Sequence, residues 1–496
     1  MKMSVEILRL IYLSILVTNT VAQSKYQSPD ISLTSCPVRP IDSNLCWGYE
    51  KSCTDTAHIK YPVCSKMVYR DKGEREAAAH KFWMQGDFGF VRKLRDESID
   101  LCVGKKRHDS SFTCSPYMTF CRTKNLYIDF TKVQFGGRDS FKKIPFGNEE
   151  IGGHCKLDKT LLRKQTEKFK VNLMSWITEL EDYSALSFRP IKDKKCDDVI
   201  KKPVIFVKLD HGGNMYHHFC DFINIYISQH INGSNFNKDV FIMNWDVTKG
   251  NYNDKFADGW HAFTDHPLRY IREFSGKRVC FRDAMFSVPP RYPPTLFYSM
   301  QLQPDCGRSS LMRAFSEHVL NRLGIKREPP PTKHIRVTFL SRQTRWRKVM
   351  NENELISAMN QIENVTATAI DFHWKKISFP EQLRRTANTD IFVGMHGAGL
   401  AHFMFLPEWA AGFEIYNTED FRCYRDLAHL SGIKYITWEN KNKLKVVEKD
   451  DMSKRKGAHE KFWNYEFDKD EFIRLFMKAV KHVQLRRKKY HNCHSH

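Results

Sequence analysis

Short apolar runs alternate with helix-length segments from Ile335 to Thr437, and no other feature of the chain narrows its fold as much. Strands are predicted at Ile335–Leu340, Thr366–Phe372, Asp390–Val393, Gly412–Tyr416 and Lys434–Thr437, and helices at Glu354–Ile362 and Pro380–Thr386. Strands separated by helices indicate a doubly wound parallel sheet. A second α/β half opens with the β-branched and aromatic run Pro203–Lys208. Between the halves lies Lys326-Arg327-Glu328 followed by Pro329, Pro330 and Pro331, which cannot continue a helix and favours an extended linker. Upstream, Leu161, Leu162, Phe169, Leu173, Trp176, Ile177 and Leu180 fall at near-helical spacing, so one amphipathic helix is predicted over Thr160–Tyr183.

The chain has 496 residues, 41% of them hydrophobic and 13% aromatic, which suffices for a large core and argues against disorder or a fibrous protein. An apolar run from Ile7 to Val17, broken by Arg9 and followed by Thr20-Val21-Ala22, reads as a secretory signal peptide. It is too short for a transmembrane helix, and no later run is long enough to span a bilayer. All 14 cysteines follow that segment, eight of them (Cys36, Cys46, Cys53, Cys64, Cys102, Cys114, Cys121, Cys155) in the first third, which points to an oxidising compartment. Asn232-Gly233-Ser234 and Asn364-Val365-Thr366 are glycosylation sequons, with Asn232 and Asn364 as acceptors. The division predicted is 1–22 signal peptide, 23–195 Cys-rich and helical region, 196–328 first α/β half, 329–485 second α/β half, and 486–496 a basic, His-rich tail. Arg486-Arg487-Lys488-Lys489 is read as solvated charge at the end of a helix Asp470–Leu485.

Chemistry concentrates after strand ends. Asp390–His402 is an apolar strand running into a glycine-rich turn, where Gly397 and Gly399 allow close backbone approach to a diphosphate and His396 adds a donor. Glycines serving turn geometry alone are the competing account, since the third glycine of the dinucleotide fingerprint is missing. The next strand carries Glu414 and Asn417, suited to ribose or base groups. Past Leu340 come Arg342, Arg345, Arg347 and Lys348, a cation cluster suited to phosphate or to a solvated face. In the first half, Leu209–Asp221 again sets glycines and polar groups after a strand. There His217, His218 and Asp221 are acid–base candidates, and His217 with Asp221 four residues on is read as a base and its orienting partner. A buried, satisfied pair is the alternative.

The stretch Gly394-Met395-His396-Gly397-Ala398-Gly399-Leu400, with Phe405-Leu406-Pro407 after it, resembles glycosyltransferase family 61. Asn214–Asn224, Phe315–Leu320, Asn388-Thr389-Asp390 and Tyr435–Trp438 resemble one branch of that family still more closely, over most of the chain from Cys36 to Val483. The resemblance implies a GT-B-like fold, two Rossmann-like halves facing a cleft. It also implies an inverting enzyme of the endoplasmic reticulum lumen that moves GlcNAc from UDP-GlcNAc to Ser or Thr hydroxyls of folded EGF-like domains. Carried onto this sequence, His396, Gly397, Gly399 and Glu414 fall in the donor cleft and Arg342, with Arg345 near it, at the diphosphate. Two departures stand out. At Phe263-Thr264-Asp265-His266-Pro267 a proline replaces the second carboxylate of the family's Asp-x-Asp triplet, which removes the basis for a bound divalent metal at Asp265. The family's KDEL-like ending is absent.

Expected partners are therefore folded EGF-like domains of extracellular proteins and UDP-GlcNAc, with no nucleic acid, no transmembrane segment and no cofactor beyond the donor. The rivals are a family member using another UDP-sugar or a glycan acceptor, an inactive EGF-binding relative, and a polyanion binder drawing on the net charge of +22.

Overall fold

The computed structural model describes residues 62–494 apart from 138–143, 145, 168–172, 235, 292–301, 303–305, 416–421, 449–459 and 461–462. The signal segment, Cys36, Cys46, Cys53 and Asn417 lie outside the described residues.

In the first half, β1 (Cys121–Asp129), β2 (Val204–Val207), β3 (Phe241–Asn244) and β4 (Arg278–Phe286) lie side by side in the order β3-β2-β4-β1 within an eleven-stranded mixed sheet. The Val-Ile-Phe-Val run of β2 is buried at every position, as a strand covered on both faces requires. β2 runs parallel to β3 and β4, whereas β4 pairs antiparallel with β1 from Arg278↔Asp129 to Phe286↔Cys121. The predicted boundary at 195 thus passes through one sheet. The Cys-rich region does not close a core of its own: Phe112 and Trp176 pack in one cluster with Phe206, Trp245 and Phe286.

The single helix expected over Thr160–Tyr183 is instead two pieces, Lys159–Thr166 and a short turn Ile177–Leu180. The chain leaves the helix so that Trp176 can enter this core, where its Nε1 donates to the Ser287 carbonyl at 2.6 Å. Among the described residues the disulfides Cys64–Cys306, Cys102–Cys155, Cys114–Cys121 and Cys196–Cys280 tie the region down.

The second half is the doubly wound sheet that the alternation predicts. β5 (Ile335–Leu340), β6 (Val365–Ile370), β7 (Ile391–Gly394), β8 (Ala411–Glu414) and β9 (Lys434–Thr437) are all parallel, in the order β6-β5-β7-β8-β9. Its helices belong to the series α1 (Met215–Asn232), α2 (Ser310–Arg322), α3 (Glu352–Asn360), α4 (Phe379–Ala387), α5 (Cys423–Ser431) and α6 (Lys469–His494), of which α1 and α2 precede the linker. One face of the sheet packs Val337, Phe339 and Val393 against Leu355 and Met359 of α3 and Phe472, Phe476 and Val480 of α6. The other face packs Leu340 and Phe392 into a cluster that reaches across to α1. There Phe219 of α1 stands 5.5 Å from both Phe379 and Phe405, ring centre to ring centre.

The predicted tail at 486–496 is a second correction. α6 continues through Arg486 and Arg487, which are buried rather than solvated, because helical periodicity returns them to the face of Val480 and Val483. Arg487 donates to the His334 carbonyl at 2.7 Å. Asn232 ends α1, and Asn364 is exposed in the turn before β6 with φ of 60°. Among the described residues no helix is long and apolar enough to cross a membrane.

Candidate active site

The strand order makes the chain step outward from β5 to β6 and then return past β5 to β7, so a crevice opens beyond the carboxyl ends of β5 and β7. Arg342 leaves the end of β5, and His396 and Gly397 leave the end of β7. A Cβ at Gly397 would lie 2.7 Å from Nη1 of Arg347 and 2.9 Å from Nη2 of Arg342, so glycine lets this backbone rest on two guanidinium groups that any side chain would push aside. Its φ of 154° adds a second reason. Gly399 serves packing: a Cβ there would meet Leu340 at 2.5 Å. The following segment, Ala398–Phe405, is a 3₁₀ helix, and the guanidinium groups supply the positive field at the turn.

Nη1 of Arg342 is buried and meets no acceptor among the described residues. Burial and the neighbouring Arg347 lower its pKa to about 10. A guanidinium in that state still carries its charge at neutral pH and is stabilised by any anion that enters. Arg347 donates to the His396 carbonyl at 3.1 Å from a backbone held at φ 61°. Arg345, predicted beside Arg342, is not there: its side chain is exposed and stacks on Trp346 at 4.5 Å. The second guanidinium of the site is Arg347.

His396 is fixed from behind. Its Nδ1 lies 2.6 Å from Oε1 of buried Glu414, whose other oxygen accepts from the Tyr435 hydroxyl. Glu414 therefore orients His396.

The first half contributes its own strand end. Asp210, three residues past β2, accepts from Nδ1 of His217 at 2.8 Å. Arg291 grips the same carboxylate, Nη2 to Oδ1 at 2.6 Å and Nε to Oδ2 at 3.0 Å. The pairing of His217 with Asp221 is overturned. Side chains on a helix lean toward its N-terminus, which carries His217 back to the preceding loop and Asp210. Asp221 bonds His218 instead, at 3.1 Å, and the opposite nitrogen of His218 lies 3.1 Å from Asp254. This sandwich is sealed: the side chains of His218 and Asp221 are 0% and 1% exposed, against 27% for His217. Burial lowers the pKa of His218 but its two carboxylates overcome that and hold it up at about 9, while burial raises Asp221 to about 6.

The two strand ends meet through aromatic rings. Tyr216, beside His217, stands 5.9 Å from Tyr424 of α5, and Tyr424 stands 5.2 Å from His396. Asp265 is remote from them. It is exposed, pairs with Lys238 at 2.6 Å and sits before the start of β3, at the sheet end opposite the Asp210 turn. The residues present there do not fit a metal serving the crevice, and among the described residues no cluster of three His, Cys, Asp or Glu could hold one. Sequence reading missed Asp210, Asp254, Arg291 and Tyr424. For Asp210 a signal existed, as the first carboxylate after a buried strand; the others are set by tertiary folding.

The family model for Glycosyltransferase 61 matches residues 198–412, a stretch holding Asp210, His217, Arg342, Arg347 and His396. A Canis lupus familiaris protein named EGF domain-specific O-linked N-acetylglucosamine transferase is 48% identical over 90% of this chain and 85% of its own length. The chain belongs to glycosyltransferase family 61. A Pan troglodytes relative of the same name is also 48% identical, over the same shares of each chain. A Drosophila melanogaster relative, again of that name, is 38% identical over 94% of this chain and 88% of its own. This family 61 glycosyltransferase thus places a pair of arginines and an oriented histidine at the switch point of one sheet, and a carboxylate–histidine pair at the strand end facing it.

Proposed function

We propose that the enzyme transfers GlcNAc from UDP-GlcNAc to Ser or Thr hydroxyls of folded EGF-like domains in the endoplasmic reticulum lumen, inverting the anomeric centre. The relatives' shared name supports donor and acceptor, and the four disulfides support an oxidising compartment. The observation that carries the reading is the half-buried Arg342–Arg347 pair against Gly397, a site for a diphosphate, with a base across from it.

His217 takes the proton of the acceptor hydroxyl as that oxygen bonds to the anomeric carbon, and Asp210 stabilises the imidazolium that forms. The bond from the anomeric carbon to the β-phosphate oxygen breaks, and Arg342 and Arg347 receive the charge of departing UDP. His396, held by Glu414, contributes a hydrogen bond on the donor side. Asp221 takes no part in proton transfer, because it is sealed from the crevice. No step runs through Asp265.

The test is intact mass of a folded, disulfide-bonded EGF module after incubation with UDP-GlcNAc, run beside its reduced form and beside other UDP-sugars. A HexNAc gain on the folded form alone is expected. Gain with another sugar in preference, or equal gain on the reduced form, overturns the donor or the acceptor assignment.

A further inference from the structure

Asp210 is reached by two side chains, His217 and Arg291, and the reaction as described uses only the first of them. We infer that Arg291 is a positioning residue of the transfer: by gripping both oxygens of Asp210 it fixes the orientation of His217 and sets the pH range over which that histidine accepts a proton. The inference rests on the reading of His217 as the base.

The geometry of the fork is the first support. Nη2 and Nε each take a different oxygen of Asp210, a side-on pair that leaves the carboxylate little rotation, and Oδ2 is shared between Nε of Arg291 and Nδ1 of His217. Asp210 is 4% exposed, so its orientation is decided by these partners rather than by water. The second support is that Arg291 is anchored independently of Asp210. Its backbone N–H donates to the Leu173 carbonyl at 2.9 Å. The segment carrying Leu173 is itself pinned to the end of β2, where Lys208 donates to the Ser175 carbonyl at 2.8 Å and to Glu179 at 2.7 Å. The guanidinium is therefore placed from the far side of the strand end, and a shift of Asp210 has to work against that scaffold.

The electrostatic consequence follows from what else faces the pair. From the loop before α1, His211 lies with its ring 6.4 Å from that of His217. From α1, Asp221 accepts weakly from the Asp210 N–H at 3.4 Å and is matched by His218. From the loop after β3, Asp254 is matched by His218 and Trp260, and Tyr252 leans on Asp221. From α5, Cys423 and Tyr424 border Tyr216. Among the described residues, Arg291 is thus the cation bonded to Asp210 outside the dyad. Without it the full carboxylate charge acts on His217 alone, and the imidazole keeps its proton to higher pH.

The experiment compares the full chain with Arg291→Gln and Arg291→Lys. Histidine ring NMR, with His217 assigned through His217→Ala, reads the titration of His217 directly and needs no acceptor. The midpoint is expected to rise by about one pH unit in Arg291→Gln and to stay near the parent's in Arg291→Lys, which keeps the charge but loses the fork. In the transfer assay, kcat is expected to fall about tenfold or more in both variants with KM for UDP-GlcNAc unchanged, and the acid limb of the pH profile should move up only in Arg291→Gln. A merely structural Arg291 would lower thermal stability and leave both midpoint and limb in place, which overturns the inference. If His217→Ala transfers at the parent rate, the reading of His217 as base fails. If His217→Ala is inactive while Arg291→Gln shows neither shift, the inference about Arg291 fails alone.

Discussion

The two strand ends that meet at the crevice are electrical opposites. The end of β2 gathers carboxylates, Asp210 from its own turn, Asp221 from α1 and Asp254 from the loop after β3, each matched by a histidine, whereas the turns after β5 and β7 bring two guanidinium groups against bare backbone. On the proposed reading, one side handles a proton and the other receives an anion. The first side makes a finer distinction within two consecutive residues. His217 and His218 have the same chemistry and opposite surroundings, one at the rim on a single carboxylate and one sealed between two. Residue type names a candidate, and the direction of its Cβ decides its work.

The strongest way to break the contrast is to neutralise the cationic side. Arg342→Ala with Arg347→Ala is expected to lower kcat/KM by about a thousandfold or more and to abolish UDP binding by calorimetry, with folding retained. Retained UDP binding would move the diphosphate elsewhere. The neighbouring histidines come next. His217→Ala should cost about 10²- to 10⁴-fold in kcat at near-parental melting temperature. His218→Ala should instead destabilise by about 3–5 kcal/mol in a denaturant melt, since it strands two buried carboxylates. Equal outcomes for the two would erase the distinction. Gly397→Ala, which pushes a methyl into both guanidinium groups, should raise KM for the donor several-fold and cost about 1–2 kcal/mol of stability. Asp265→Asn should be silent within about 0.5 kcal/mol and leave turnover unchanged, since its only role is an exposed pair.

Acid should loosen the whole molecule. Burial lowers His230 and His318 to about 3 and His402 and His429 to about 4. Between pH 6.5 and about 4 the unfolded chain takes up protons at these four positions and the native chain does not. Buried Asp87 and Asp221, each raised to about 6, pull the other way, because the native state protonates them first. The four histidines act across that whole window, whereas the raised carboxylates, with Asp283, Glu352 and Asp426 among them, act over its lower part, so the melting temperature should fall as the pH drops; a flat or rising curve would contradict the histidines' burial in the native state.

Much of this fold could be read in the sequence, because a parallel sheet writes its strands as continuous apolar runs. All five strands of the second half fall within two residues or so of their predicted bounds, and so does the glycine turn. What resisted reading was set by distance in the chain. Val480, Val483 and Arg487 recur at helical spacing, but that Arg487 would find the His334 carbonyl waiting is a tertiary fact. The same holds for Arg291, 81 residues from the carboxylate it grips, and for Arg347, whose left-handed backbone swings it into the place expected of Arg345. His217 with Asp221 failed for a local reason, the tilt of helical side chains, which spacing alone does not carry.

Phe219 packs against Phe379 and Phe405, and Phe256 packs against Phe379. That stack makes the triple proline a poor place to cut. A protease that nicks residues 329–331 leaves two fragments still joined by an oily seam, and a fragment beginning at Thr332 would carry an uncovered aromatic surface into water and aggregate. The same seam forbids the wide clamshell swing by which loosely joined lobes admit their ligands. On the proposed reading, UDP then enters and leaves by rearrangement of the rim rather than by swinging of the lobes.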